Sequence, residues 1–318
     1  MHIAERSYCL HCGKADTSIL VGLLLLLALL AVSPRSCPAQ QIVDQDGKQL
    51  TFTHPFRRII SLYPAHTENL TQLGLDREII GISTADTYPS TVTAKPRFSD
   101  EDNAEKFIAA APDLILIRPM ISRAQPDLLK KLRQSGITIV SLQPTTIDQM
   151  YSYWRILGQL TGKTEEAAAM QKQFQAGIAA VQEKLPQLSS DKRPGVYFEA
   201  IHSKMKTFSP TSIAIFAVEA AGGRNIASDA SPRNDSNIAE YGKERILSKS
   251  EEIDVFLSQQ GRMNRIDMET LRQEPGFRII KAFRENRVYL IDEPLVSRPT
   301  LRLLQGVEEI SRLLYSSR

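Results

Sequence analysis

From residue 58 onward, short apolar runs alternate with stretches whose apolar residues recur every three or four positions. Arg58–Leu62, Ile79–Ile82, Asp113–Ile117 and Thr138–Leu142 read as strands. Between and after them, Thr67 to Gly74, Asn103–Ala110, Gln125–Ser135 and Thr146–Gly158 read as helices, with Thr67 as a candidate cap. Thr164–Leu185 is the longest periodic stretch. Met170, Phe174, Ile178, Val181 and Leu185 share one apolar stripe, Thr164 suits the cap, and Pro186 stops the helix. At 1.5 Å per residue it spans about 33 Å. Gly177 is its blemish, costing about 1 kcal/mol relative to alanine in a helix interior.

Beyond Pro186 the alternation resumes. Arg193–Glu199, Asp254–Leu257 and Asn286–Ile291 carry strand patterns. Thr211–Ala221 (closed by Gly222-Gly223), Glu244–Ser250, Phe277–Phe283 and an amphipathic Thr300–Leu314 carry helical ones. Ala200–Pro210 and Ala227–Gly242 read as loops, and Gln40–Pro55 as a short hairpin or extended lead-in. Strands alternating with helices on both sides of one long helix imply an α/β protein. The pattern predicts two Rossmann-like lobes with mostly parallel sheets, joined by a single backbone helix. The predicted boundaries are 40–163, 164–186 and 187–318. Ligands of such sheets bind outside the carboxyl ends of the strands, where Tyr63 to His66 and Arg118 fall.

Ile19–Val32 is an unbroken apolar run, too short to span a bilayer comfortably but suited to a signal-peptide core. Arg6 and Lys14 precede it, and Cys37-Pro38-Ala39 supplies a cleavage site, so residues 1–39 are predicted to be a signal peptide. An uncleaved anchor and lipid attachment at Cys37 are the alternatives, although Pro34 and Arg35 fit a lipid-attachment motif poorly. All three cysteines, Cys9, Cys12 and Cys37, lie in this leader, so the mature chain has no disulfide or thiolate chemistry. Charge is balanced, 39 basic against 36 acidic side chains, which does not call for nucleic acid.

The ordered stretches RIISLYPAHTENLTQLGL, IIGIS, a Tyr-Pro loop, NAEKFIAAAPDLILI and LKKLRQSGITIVSL resemble the first lobe of class III periplasmic binding proteins. Those proteins serve ABC importers of cobalamin, ferric siderophores and haem. Ala221-Gly-Gly-Arg-Asn-Ile226 and the turn and strand at 286–291 are similar to the second lobe, so the resemblance covers nearly all of the chain after residue 58. It implies an exported, periplasmic, monomeric carrier that performs no chemistry and holds no cofactor. Its partners would be a permease dimer in the inner membrane with its ATPase. One glutamate from each lobe docks on the permease in that family, and Glu105 and Glu244 match by motif.

Around the expected cleft the sequence offers Tyr63, His66, Tyr88, Arg97 and Arg118 from the first lobe, and His202, Lys204 and Arg298 from the second. After residue 39 only His54, His66 and His202 remain, too few for a bare-metal site, although His66 and His202 could touch a metal. Cobalamin binders of the family present tryptophans to the corrin ring. Here the matching positions are Ser99 and Arg118, and the one tryptophan is Trp154. A basic rim suits an anionic chelate, because arginine offers a fixed fork of donors to carboxylate or catecholate oxygens. A ferric siderophore is therefore the expected ligand, with cobalamin or haem as alternatives for the same carrier. An enzyme on the same architecture is the rival class, but there is no Gly-rich phosphate loop, nucleophile elbow or metalloprotease motif.

Overall fold

The computed structural model describes residues 39–232 and 236–315. The signal-peptide reading and Cys37 lie outside the described residues. Among those residues, no helix is long and apolar enough to cross a membrane.

The described residues open with a hairpin, one of the two expectations for this stretch, made of β1 (Gln40–Val43) and β2 (Gln49–Phe52). Asp44 closes its turn by accepting from the amides of Asp46 and Lys48 at 3.0 and 2.8 Å. The first lobe then runs β3 (Ile59–Ser61), α1 (Pro64–Gln72), β4 (Ile79–Ser83), β5 (Arg97–Phe98), α2 (Ala104–Ala110), β6 (Leu114–Ile117), α3 (Pro119–Ala124), α4 (Pro126–Gln134), β7 (Thr138–Ser141) and α5 (Ile147–Thr161). Its sheet has the order β5-β4-β3-β6-β7, with every pair parallel. Both faces are covered, so its strands are continuously apolar, as in the fully buried Leu114–Ile117. The first helix starts at Pro64 rather than Thr67, because proline at the first helical position is already set for the helix. Thr67 instead donates from Oγ1 to Ser61 Oγ at 2.8 Å.

The linking helix α6 (Thr164–Gln182) is 19 residues long, about 28 Å. Lys163, not Thr164, is the residue before its first turn, and no side chain caps it. The helix also stops three residues early. Leu185 precedes Pro186, which disfavours the helical region, and the amides of Lys184 and Leu185 tighten onto Val181 and Gln182 instead. Phe174 lies edge-on to Trp154 of α5 at 5.7 Å, and its ring is 6.3 Å from Phe216 of the second lobe. Gly177 is therefore no blemish. A Cβ there would collide with Leu304 of the C-terminal helix, so the glycine lets two helices approach closely.

The second lobe comprises β8 (Gly195–Ile201), β9 (Lys206–Phe208), α7 (Ile213–Ala220), β10 (Arg224–Asn225), β11 (Ser231–Pro232), β12 (Ile238–Glu240), α8 (Lys243–Ser248), β13 (Val255–Gln260), α9 (Met268–Gln273), α10 (Lys281–Arg284), β14 (Val288–Asp292), α11 (Glu293–Val296) and α12 (Leu303–Tyr315). Its sheet runs β11-β12-β9-β8-β13-β14, with β10 also on β8. The strands β8, β13, β14 and β10 are parallel, whereas β9, β12 and β11 form an antiparallel meander. That meander lies in the stretches read as loops. Its strands are two or three residues long, too short to show a period of two. One apolar cluster runs from Ile59 and Leu114 through Trp154 and Phe174 to Val218, Leu257 and Ile310. The two lobes thus share a continuous core across α5, α6, α7 and α12.

Candidate functional site

In the first sheet β3 is flanked by β4 on one side and β6 on the other, so the chain reverses direction across the sheet between β3 and β6. Such a switch point opens a crevice at the carboxyl ends of the strands. The two loops that leave it share one local pattern. Tyr63 precedes Pro64 after β3, and Arg118 precedes Pro119 after β6. A residue before proline is pushed into extended backbone, and both are extended, with φ −150° and −104°. Each projects at the end of its strand, and the two meet. The Arg118 guanidinium lies over the Tyr63 ring at 4.6 Å. Burial pushes the Tyr63 hydroxyl above its usual range, against the pull of Arg118 and Arg298. Arg118 Nε is buried, and among the described residues no acceptor reaches it.

Tyr88 stands at the mouth of the same crevice, 46% exposed. The Arg302 guanidinium, from the other lobe, covers its ring at 4.4 Å. Arg302 also lies 3.6 Å from Glu68 Oε1, which accepts from Arg298 at 2.8 Å. Burial holds the Glu68 carboxyl above the usual range despite both arginines. Beside this cluster the Pro299 carbonyl accepts from Asn69 Nδ2 at 2.9 Å and from Trp154 Nε1 at 3.2 Å. The segment from Arg298 to Arg302 is thus the second lobe's contact with α1, α5 and the Tyr88 loop.

Four of the expected ligand contacts are otherwise engaged. His66 is fully buried; Nδ1 meets the Tyr153 hydroxyl at 2.7 Å and Nε2 the Ile117 carbonyl at 3.1 Å. The carbonyl can only accept, so Nε2 carries the proton and Nδ1 accepts from Tyr153. With both nitrogens used, His66 does not face the crevice, and burial lowers its pKa to about 3. Arg97 clamps its own loop, donating to the carbonyls of Ser83, Asp86 and Thr93 at 3.1, 2.6 and 3.1 Å. Arg298 is 7% exposed and committed to Glu68. His202 sits between Glu199 Oε1 at 2.9 Å and Glu274 Oε2 at 3.2 Å, and its hydrogen bond to Glu199 raises its pKa. Ser258 binds the other Glu199 oxygen at 2.7 Å, and Lys243 pairs with Glu274. His202 is therefore the centre of a buried ionic chain and has no free nitrogen for a metal.

The remaining expected residues keep exposed or half-exposed positions. Lys204 is exposed on the turn after β8; Glu105 and Glu244 are exposed in the first turns of α2 and α8. Neither Arg302 nor Glu68 stands out in the sequence as a ligand contact. Arg298 and Arg302 stand four apart, but the Thr300–Leu314 helix pattern disguised their shared turn, and only the fold brings Glu68 to them.

Comparison with known proteins places this geometry. A model of the periplasmic binding protein family matches residues 59–295. An uncharacterized ABC transporter substrate-binding lipoprotein of Bacillus subtilis is 26% identical over 277 residues, covering 86% of this chain and 85% of that one. A cobalamin-binding protein of Halobacterium salinarum is 23% identical over 326 residues, covering 97% and 86%. A solved structure from Staphylococcus epidermidis, described as a possible iron-binding (periplasmic solute-binding) protein, superposes with a TM-score of 0.71 at 27% identity, over 83% of this chain and 100% of that one. The two-lobe α/β fold, the crevice at the switch point and the match over most of the chain agree: this protein belongs to the periplasmic binding protein family.

Proposed function

We propose that the protein is the extracytoplasmic solute-binding component of an ABC importer and captures an anionic metal chelate of the ferric-siderophore type. In this reading, lobes 40–163 and 187–318 enclose the ligand on either side of residues 164–186. Tyr63, Tyr88 and Arg118 contact it, Arg302 joins them from the second lobe, and Lys204 adds charge at the rim. The chain works as a monomer, and Glu105 and Glu244 dock on the two permease subunits. Two charges on separate lobes are suited to setting the register of such a complex. The reading rests on Arg118, whose guanidinium stacks on Tyr63 while its buried Nε has no partner among the described residues. A planar oxyanion is the natural complement to such a fork. The relative named for cobalamin binding keeps a corrinoid as the second reading.

The test uses the single tryptophan. Trp154 is hydrogen-bonded to Pro299 where the lobes meet, so its emission reports ligand entry at the junction. Ferric hydroxamate and ferric catecholate siderophores, cobalamin, cobinamide and haem are titrated against the purified protein. Saturable one-to-one quenching by a ferric siderophore is expected. Saturation by a corrinoid or haem alone would replace the siderophore by that ligand. Silence to all five, matched by calorimetry, would overturn the chelate assignment.

A further inference from the structure

At the end of the second sheet opposite the crevice, three arginines line one concavity. It has a volume of about 260 Å³ and is bounded by Arg272, Arg278, Phe283, Arg284, Asn286 and Val288. Val288 begins β14, so the concavity sits at the amino ends of the parallel strands, away from Tyr63 and Arg118. Arg272 closes the last turn of α9, Arg278 lies in the turn at Phe277–Ile279, and Arg284 ends α10. Three separate elements therefore each contribute an arginine to the same lining.

The charges around it are unevenly matched. Nearby cations have carboxylates: Lys281 pairs with Asp254 at 2.6 Å and Lys243 with Glu274. Arg284 shares Glu251 at 2.8 Å and also donates to the Ile279 carbonyl. Arg272 and Arg278 have no acidic partner among the described residues, and both are exposed. Like charges gathered on one concavity repel, and an oxyanion relieves that repulsion while taking up several guanidinium donors at once. Phe283 and Val288 add an apolar wall, and Asn286 adds an amide. A water occupies about 30 Å³ in the liquid, so the space admits a phosphate together with part of an attached organic group.

We propose that this pocket is a second ligand site, separate from the crevice, which binds a phosphate group through Arg272, Arg278 and Arg284. The phosphate comes either free in solution or on the headgroup of an anionic lipid, and the same guanidinium forks recognise both.

Calorimetric titration of the purified protein with inorganic phosphate at constant ionic strength tests the site, beside sedimentation with phosphatidylglycerol or phosphatidylcholine vesicles. One phosphate per chain is expected. Arg272→Gln and Arg278→Gln should each weaken binding about tenfold, as loss of a charge-assisted hydrogen bond does. Arg278→Lys should retain part of the binding, and Arg118→Gln, in the crevice, should leave it unchanged. Adsorption to phosphatidylglycerol vesicles alone, with the same arginine dependence, would assign the phosphate to a lipid. No binding in either format, or binding indifferent to Arg272 and Arg278 in variants with unchanged circular dichroism, would overturn the proposal. Binding lost only with Arg118→Gln would assign the anion to the crevice and overturn it as well.

Discussion

Glu68 of α1 and Arg298 of the segment before α12 meet at 2.8 Å across the two lobes, both almost fully buried. Burial of the carboxylate outweighs the attraction, since the Glu68 carboxyl stays above its usual range. The pair is therefore expected to specify where the lobes meet more than it stabilises them. Arg298→Met alone should destabilise by about 3 kcal/mol, because it leaves the buried Glu68 carboxylate with only Arg302, at 3.6 Å, as a cationic partner. The double variant Glu68→Leu with Arg298→Met should recover most of that loss in urea unfolding. A double variant no better than the single one would show the pair to be a net source of stability.

The two buried histidines should give opposite pH responses. His66 is held neutral with a pKa of about 3, whereas the unfolded ring takes a proton near 6.5. Below about pH 6.5 its contribution falls by up to about 1.4 kcal/mol per unit until about pH 3. His202 has a raised pKa, so its contribution is complete below about 6.5 and is lost as pH rises through the raised value. Imidazole proton resonances followed from pH 4 to 9 should show His66 silent and His202 titrating late. Unfolding of His202→Asn should lack the wild-type decline above pH 6.5.

Gly177→Ala should destabilise the protein by about 1–3 kcal/mol, as overpacking does. Helix propensity alone gives the reverse sign. The cause is Leu304, which a Cβ at 177 would strike. Leu304→Ala in the same chain should cancel most of the penalty, measured as the coupling in a double-mutant cycle. A stabilised single variant would show that α12 moves aside without strain.

Arg118→Gln and Arg97→Gln should separate ligand binding from loop support. Loss of Arg118 should weaken the captured chelate by about 10- to 100-fold with little change in Tm. Loss of Arg97 removes its bonds to Ser83 at the end of β4 and to Asp86 and Thr93 in the loop after it, and should lower Tm first. Equal affinity losses with equal Tm losses would mean that Arg118 also acts as a structural residue.

Glu105→Gln and Glu244→Gln should leave chelate affinity unchanged, because both carboxylates lie exposed on short helices. Transport by the permease reconstituted in liposomes should fall with either variant and fall further with both. Undiminished transport in the double variant would remove these residues from the docking surface.

Local order along the chain determined the two lobes, the switch-point loops and the longer elements, but not the short meander strands β9, β11 and β12. Strand runs buried on both faces are unbroken in sequence, as in Leu114–Ile117, and proline biases the residue before it toward extended backbone, as at Tyr63 and Arg118. Tertiary structure alone decided what each polar side chain does there. His66 and Arg97 fall at the expected loops, yet their hydrogen bonds go to Tyr153, Ile117, Ser83 and Thr93, partners set by packing rather than by spacing. Glu68 and Arg298 lie far apart in sequence and become partners only because Pro299 docks on Asn69 and Trp154. Gly177 shows the same division. Its cost is written in the local sequence, and its use appears only when Leu304 arrives from another helix. Backbone preference is local and can be read along the chain, whereas the partner of a buried polar or close-packed group is fixed by whichever distant segment shares its space.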